Sequence, residues 1–188
     1  DSGKKVLKVG MECAYAPYNW SQPSADGGAV KIAGSNEYAY GYDVMIAKKL
    51  ADSMGADLEI HKIEWDGLAP AVVSGKIDAA IAGMSITSKR KESVDFTKPY
   101  YYATVVALVK KDSPQAQAKS VADLKGSIAT SQLNTIWYDQ IDQVPDVKKL
   151  PAIDNVPGMI VALKSGKCNL IVTDIPTAKA AAFANPDL

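Results

Sequence analysis

The sequence predicts an α/β protein of two lobes, each a mainly parallel sheet flanked by helices. Two observations predict it. Strand-like and helix-like segments alternate along the chain, which is typical of parallel sheets because their neighbouring strands are joined by helical crossovers. The segment 71–83 is also repeated in outline at 162–174, each copy with a helix end, a Ser-Gly-Lys turn and a buried strand. One repeat of this length does not indicate a solenoid. It indicates instead two lobes built on one plan.

The first half of the chain contains three predicted strands and two predicted helices. The β-branched run at 6–10 ends at a glycine and predicts the first strand. The polar stretch 19–35 contains glycine and proline and suits a hairpin or a surface loop. Apolar residues recur at helical spacing over 42–54, and Gly55 ends that helix. The remaining elements are a strand over 58–63, a helix over 68–74 closed by Gly75, and a buried strand over 77–82.

The second half begins with a predicted strand over 104–109, which runs into a charged segment at 110–114. We interpret this region as the crossing from one lobe to the other. Further strands are predicted at 128–130 and 170–172. A single domain is the alternative that the chain length also allows. The expected organisation is a first lobe at 1–106, a hinge crossing at 107–110 and a second lobe at 111–188.

Composition and charge exclude several classes of function. The 188 residues are 47% hydrophobic, and 21 basic and 21 acidic side chains cancel to a net charge of zero. A neutral surface gives no reason to expect nucleic acid or an anionic membrane as a partner. Two cysteines and one histidine do not suit the usual zinc sites, so we expect no metal and no cofactor. His61 would be the only histidine base for a Ser or Cys nucleophile, and we interpret it as a strand-edge residue.

No stretch approaches the run of about 18 apolar residues that a membrane-spanning helix needs. The N-terminus at 1–5 has no apolar core behind it. A secreted protein looks like this after removal of its signal peptide or lipid-anchor segment, so the missing signal does not argue for a cytoplasmic protein.

Several strand ends are candidates for a ligand site. Gly83 and Asp174 occupy equivalent positions in the internal repeat, at the carboxyl ends of their strands, and ligands of open α/β sheets bind just outside such ends. If the lobes face each other, these positions meet across a cleft. A helix cap is the alternative role for Asp174, which precedes Pro176. Asn134 and Thr135 can donate to the same ligand from the second lobe, although Asn-Thr is also a common turn pair.

The segment 83–90 contains the groups that a zwitterionic amino acid needs. Gly83 lets the backbone approach a ligand, Ser85 offers a hydroxyl, and Arg90 offers a planar fork for a carboxylate. The expected helix N-terminus adds its own attraction for an anion. The alternative is an ordinary strand-to-helix loop with a surface arginine paired to Asp95.

Aromatic and acidic side chains near the strand ends complete the candidate site. Tyr15, Trp20 and Trp65 can sandwich an aliphatic or cationic side chain. Core packing is the alternative role for each of them. Glu12, at the end of the first strand, can meet a polar or basic group of the ligand.

Sequence motifs identify a family. In order along the chain stand WDGLAPA at 65–71, SGKIDA at 74–79, AGMSIT at 82–87 followed by Arg90, and VDFTKPYY at 94–101. The segments ECAYAPY at 12–18 and GYDV at 41–44 fit the same pattern, as does the segment around Asp174. Essentially the whole chain resembles the family 3 solute-binding proteins of polar amino-acid ABC transporters. The resemblance implies a type II periplasmic-binding-protein fold with the ligand cleft between its lobes, and a binding protein that is not an enzyme.

The resemblance also implies roles for individual residues. Arg90 is similar to the family's carboxylate clamp, with help from Ser85 and, in the second lobe, from Thr135. The other implied contacts are the Gly83 carbonyl and Asp174 for the ammonium group, Tyr15 and Trp65 for the side chain, Glu12 as its selector, and the adjoining Met84 and Asn134.

The implied function is capture of a free L-amino acid by lobe closure and delivery to an ABC transporter permease in the membrane. Glu12 and the aromatic residues favour a cationic ligand, namely arginine, lysine or histidine, and glutamine is the open alternative. A dehydratase of aromatic precursors and a sensor module of a receptor or channel are alternative functions on this fold. The implied location is extracytoplasmic, in the periplasm or on the outer face of the cell membrane, with a lipid anchor in the full-length protein.

The chain departs from the family pattern where it ends. We expect the family's second crossing and its closing helices to be missing after Leu188, which would leave the first lobe incomplete and the hinge single-stranded. Such a truncated chain can be unstable, fail to close, or exchange elements with a second copy as a domain-swapped dimer. Cys13 and Cys168 are expected in different lobes and unpaired.

Overall fold

The computed structural model describes residues 3–188. The chain divides into two compact units, with the boundary between Tyr100 and Tyr101. The lobe limits expected from the sequence, with a crossing at 107–110, stay a prediction. In the structure the strand Val105–Leu108 pairs within the second unit.

The first unit contains a parallel sheet and a smaller antiparallel sheet. Its strands are β1 (Val6–Met11), β2 (Ala14–Tyr15), β3 (Asn19–Gln22), β4 (Val30–Lys31), β5 (Tyr38–Tyr40), β6 (Asp57–Lys62) and β7 (Ala79–Ala80). Its helices are α1 (Tyr42–Met54), α2 (Leu68–Val73) and α3 (Ser88–Lys91), with 3₁₀ turns at Asp26–Gly28 and Trp65–Gly67. The parallel sheet has the order β6-β1-β7, so the first strand of the chain is its centre.

Local sequence signals explain most of these limits. α1 occupies the predicted 42–54 and stops before Gly55, and it buries one apolar stripe that includes Val44 and Ala47. β7 is shorter than the predicted strand over 77–82, because only Ala79 and Ala80 pair in register with β1.

The polar stretch 19–35 forms part of the antiparallel sheet, which has the order β2-β3-β5-β4. The sequence suits a hairpin or a surface loop here, and the structure shows two strands, β3 and β4, that both pair with β5. One face of this sheet packs on the core of the unit, with Ala39 fully buried. On the other face the ring of Trp20 lies edge-on to that of Tyr40, at 5.2 Å between centroids, so Trp20 packs within this sheet.

The second unit contains one mixed sheet. Its strands are β8 (Val105–Leu108), β9 (Ile128–Thr130), β10 (Lys148–Lys149) and β11 (Leu170–Asp174). Its helices are α4 (Ile136–Gln140), α5 (Val156–Lys164) and α6 (Ile175–Ala184), with 3₁₀ turns at Pro114–Gln117, Val121–Leu124 and Ile141–Gln143. The order is β10-β9-β11-β8; β9, β10 and β11 are parallel, and β8 is antiparallel to β11.

The two units share one plan, as the internal repeat predicts. In each unit the first parallel strand is central, the second lies on one side of it and the third on the other. The repeated turn is the same in both copies: Gly75 follows α2 with φ 73°, and Gly166 follows α5 with φ 79°. This left-handed backbone favours glycine, which explains why the turn recurs as Ser-Gly-Lys.

Each unit has its own apolar core. In the first unit the central strand contributes Val9 and Met11, and Ile60 and Leu68 pack against them. In the second unit Ala129, Leu170 and Val172 lie at the centre of a core cluster. Cys13 lies in the first unit and Cys168 in the second, and both are buried free thiols. Within residues 3–188, no helix has the length and apolarity to cross a membrane.

Candidate functional site

The end of β1 presents a buried carboxylate in the first unit. Glu12 follows the last residue of the strand and is only 4% exposed. Cys13 then takes a left-handed backbone with φ 57°, so the chain turns sharply at this strand end. Burial raises the pKa of the Cys13 thiol to about 12, so this side chain is a neutral, small packing residue.

The end of β7 approaches the aromatic residues of the same unit. Gly83 has φ 61°, and a Cβ atom built there would lie 2.9 Å from Cε1 of Tyr15. Both its backbone and its surroundings therefore require glycine. The Tyr15 ring packs against Tyr18, with 4.8 Å between centroids and 36° between planes. The next residue, Met84, packs against the core cluster of the unit.

Arg90 is held in place by two neighbouring groups. It lies on the single turn α3, whose N-cap Thr87 accepts a hydrogen bond from the Arg90 amide. Its Nη1 donates to the backbone carbonyl of Ser85 over 2.6 Å, and its Cζ lies 5.4 Å from the centroid of the Trp65 ring. Partial burial lowers the pKa of the guanidinium, but an arginine stays charged at any physiological pH. The result is a half-buried cation with a fixed orientation, which suits recognition of a carboxylate.

Ser85 and Trp65 therefore do more in the structure than the sequence indicates. The expected role of Ser85 is carried by its hydroxyl, and the structure adds its carbonyl as the acceptor that orients Arg90. Trp65 begins a 3₁₀ turn and is 8% exposed. It belongs to the core cluster and also lies beside the guanidinium, so the packing role is present, and its contact with a ligand side chain stays a prediction.

Two of the three second-unit candidates cap helices. Thr135 is the N-cap of α4: its hydroxyl accepts from the Tyr138 amide over 3.4 Å and donates to the Gln132 carbonyl over 2.7 Å. Asn134, just before it, is exposed with φ 53°, a conformation that asparagine tolerates well. Asp174 is fully buried and caps α6 by accepting from the Thr177 amide over 2.9 Å. The cap that the sequence leaves as an alternative for Asp174 is thus present.

The candidate residues fall into two groups, one in each unit. Within the first unit, Arg90 contacts Ser85 and Trp65. In the same unit, Gly83 lies close to Tyr15. Ligand contact by the ten candidate residues stays a prediction. The second-unit members are Asn134, Thr135 and Asp174.

The sequence reasoning missed a buried carboxylate near these strand ends. Asp43 is the second residue of α1 and is fully buried. Burial raises its pKa to about 6, although hydrogen bonds from Tyr100, Asn19 and the Gly83 amide act in the opposite direction. A signal was available, because an aspartate stands at the start of an amphipathic helix within the GYDV motif. Its partners at positions 19 and 100 are far away in sequence and could not be inferred from periodicity.

Comparison with protein families gives a match over most of the chain. A family model described as bacterial extracellular solute-binding proteins, family 3, matches residues 7–150.

Individual curated proteins also match this chain over nearly its whole length. The chain is 33% identical over 183 residues to a probable histidine-binding protein of Campylobacter jejuni, covering 97% of this chain and 65% of that protein. It is 30% identical over 188 residues to the ABC transporter arginine-binding protein 1 of Escherichia coli, covering 100% of this chain and 70% of that protein. The chain thus spans only about two thirds of the length of these curated relatives.

A solved structure confirms the predicted α/β fold class. The arginine-bound form of truncated ArgBP from T. maritima matches with a TM-score of 0.81 and 31% sequence identity, over 97% of this chain and 79% of that chain.

Proposed function

The chain belongs to the bacterial extracellular solute-binding proteins of family 3, and on that premise we propose that it captures a free L-amino acid for an ABC importer. The similarity to histidine-binding and arginine-binding proteins supports an amino acid with a cationic side chain. The similarity to an arginine-bound structure supports the same class of ligand.

The observation that carries the proposal is the pre-oriented guanidinium of Arg90. A free amino acid differs from most metabolites by its α-carboxylate and α-ammonium groups. A half-buried arginine, fixed by the Ser85 carbonyl and the Trp65 ring, offers paired N–H donors to such a carboxylate. Because the arginine is already ordered, little side-chain entropy is lost when the ligand binds.

The remaining roles follow from the chemistry of the ligand. The Gly83 carbonyl is the proposed acceptor for the ammonium group, and Tyr15 the proposed wall for the side chain, since the two residues are in close contact. Glu12 is the proposed partner of a cationic side chain, because a buried carboxylate is most favourable beside a positive charge. In the second unit, Thr135 and Asp174 complete the proposed ligand set.

The proposal includes a partner, a location and the absence of catalysis. The protein delivers its ligand to an ABC transporter permease, acts outside the cytoplasm, and is held at the membrane by a lipid anchor in its full-length form. It acts by binding alone, since its relatives are named for what they bind. A domain-swapped dimer is a further proposal, and light scattering tests it.

Ligand titration tests the function directly. The protein is partially unfolded and refolded to release any bound ligand, and thermal stability and tryptophan emission are followed with each common L-amino acid. A ligand at 100 times its Kd adds about 2.7 kcal/mol to the free energy of unfolding. A selective shift with arginine, lysine or histidine supports the proposal, and a shift with glutamine alone would move the ligand class. No shift with any amino acid would contradict the proposed binding function. Turnover of prephenate in an absorbance assay would instead support a dehydratase.

A further inference from the structure

A hydrogen-bond network is centred on the buried Asp43 in the first unit. The Tyr100 hydroxyl donates to its Oδ1 over 2.6 Å, and Nδ2 of Asn19 donates to its Oδ2 over 2.8 Å. Asp43 and Asn19 are both fully buried. A carboxylate without solvent is tolerated only when its oxygens accept hydrogen bonds, so the three side chains fix one another's positions.

Each partner of Asp43 also holds one backbone segment. Oδ1 of Asn19 accepts from the Cys13 amide over 2.7 Å, and the Tyr100 hydroxyl oxygen accepts from the Gly83 amide over 3.2 Å. Both amides belong to left-handed residues, with φ 57° at Cys13 and 61° at Gly83. Such a conformation at a residue other than glycine persists only where the surroundings impose it. The two segments that follow β1 and β7 are therefore tied together through one carboxylate.

Tyr100 is fixed at both of its ends. Its hydroxyl lies between Asp43 and the Gly83 amide, and its carbonyl accepts from the Tyr42 hydroxyl over 3.0 Å. The rings of Tyr42 and Tyr100 also pack, with 6.0 Å between centroids. The start of α1 thus sets the position of the last residue of the first unit.

We propose that Asp43, acting through Asn19 and Tyr100, positions the segments 12–15 and 83–85 for contact with the amino acid. This role rests on the proposed function. None of the three side chains has to touch the ligand, so they are positioning residues. Ligand contacts depend on sub-ångström placement of the groups that make them, so loosening the network weakens binding even when the fold is kept.

Two phenylalanine substitutions test the role with a matched control. Tyr100→Phe keeps the ring and removes the hydroxyl that bridges Asp43 and Gly83. Tyr102→Phe makes the same change at a side chain that is 83% exposed. Isothermal titration of folded protein with L-arginine should show a Kd raised about tenfold by Tyr100→Phe and unchanged by Tyr102→Phe.

The pH profile of the affinity separates positioning from a loss of stability. Hydrogen bonds to the Asp43 carboxylate lower its pKa, which burial has raised to about 6. Removal of the Tyr100 donor raises that pKa further, because the charged form loses a partner. The affinity of Tyr100→Phe for L-arginine should therefore fall at a higher pH, on acidification, than that of Tyr102→Phe.

Other titratable groups near the network are retained in both variants. Tyr18 acts on Tyr100, and Glu12 and Cys13 lie on the segment that Asn19 holds. Their contributions to the pH profile cancel when the two variants are compared.

The outcomes distinguish this role from the proposed function. Equal Kd values and equal pH midpoints in the two variants would overturn the positioning role and leave amino-acid binding intact. A failure of the unaltered chain to bind any amino acid would overturn the function, and the positioning role with it. If Tyr100→Phe does not fold, Tyr42→Phe takes its place, because it removes the hydroxyl that donates to the Tyr100 carbonyl. A Kd equal to that of Tyr102→Phe would then refute the role.

Discussion

Replacement of Arg90 by lysine tests the carboxylate clamp while retaining its charge. Nη1 of Arg90 donates to the Ser85 carbonyl over 2.6 Å, and its Cζ lies 5.4 Å from the Trp65 ring centroid. These contacts fix the plane of the guanidinium. Lysine has a compact ammonium group on a flexible stem and reproduces neither the planar fork nor the stacking. Arg90→Lys should therefore change a two-bond contact with the ligand carboxylate into a single, less ordered one.

The expected loss of affinity follows from the removed hydrogen bond. A hydrogen bond to a charged group contributes about 1.5–3 kcal/mol, and each 1.4 kcal/mol is a factor of about ten in Kd. Arg90→Lys should raise the Kd for L-arginine about 10- to 150-fold. The loss of stability should be smaller, about 1–2 kcal/mol, because a half-exposed arginine loses one hydrogen bond and one cation–π contact.

Isothermal titration of Arg90→Lys is compared with Lys89→Arg, an exposed position on the same helix where charge is also retained. A Kd for Arg90→Lys within about twofold of the unaltered chain would refute the clamp. Equal losses in the two variants would assign the effect to the helix as a whole and would also refute it.

Three further predictions concern the same unit. Glu12→Gln should weaken binding of L-arginine at least about tenfold more than binding of L-glutamine; equal losses in isothermal titration would refute the selector role. Gly83→Ala places a Cβ 2.9 Å from Tyr15 at φ 61° and should cost about 1–3 kcal/mol in thermal unfolding. The control Gly34→Ala, at φ 72° with open surroundings, should cost only the backbone part, and equal costs would exclude the Tyr15 contact as a cause. Asp43 has its pKa raised from 3.8 to about 6, so its contribution to stability is fully present below pH 3.8 and is lost as the pH rises through about 6. Urea unfolding should therefore show the unaltered chain gaining about 2 kcal/mol relative to Asp43→Asn between pH 7 and pH 4, and a gap that does not change with pH would refute the raised pKa.

Local signals in the sequence were sufficient for the regular elements. α1 occupies the predicted 42–54 and β9 the predicted 128–130, because apolar periodicity and a terminal glycine act over a few neighbouring residues. The repeated Ser-Gly-Lys turn was sufficient to predict the shared plan of the two units, since both of its glycines are left-handed. Strand length was less predictable. β7 has two residues in place of six, because the extent of a strand depends on its partner's register.

The candidate site shows the same division. Arg90 and Gly83 could be named as candidate site residues from the sequence. The charge of a guanidinium and the backbone freedom of glycine belong to single residues, and both residues stand within a specific motif. The acceptor that orients the guanidinium could not be named, since it is the Ser85 backbone carbonyl, which every residue possesses.

The sequence by itself determined the α/β class, the internal repeat and the family, because periodicity, turn residues and motifs are properties of short segments. Only the tertiary structure decided the network of Asp43, Asn19 and Tyr100. Its members lie 24 and 57 residues apart, and each is an ordinary surface-type residue when considered alone. Burial removes water from Asp43 and Asn19, so the Asp43 carboxylate takes its hydrogen bonds from Asn19 and Tyr100. That constraint arises in the folded chain and has no counterpart in any local stretch of sequence.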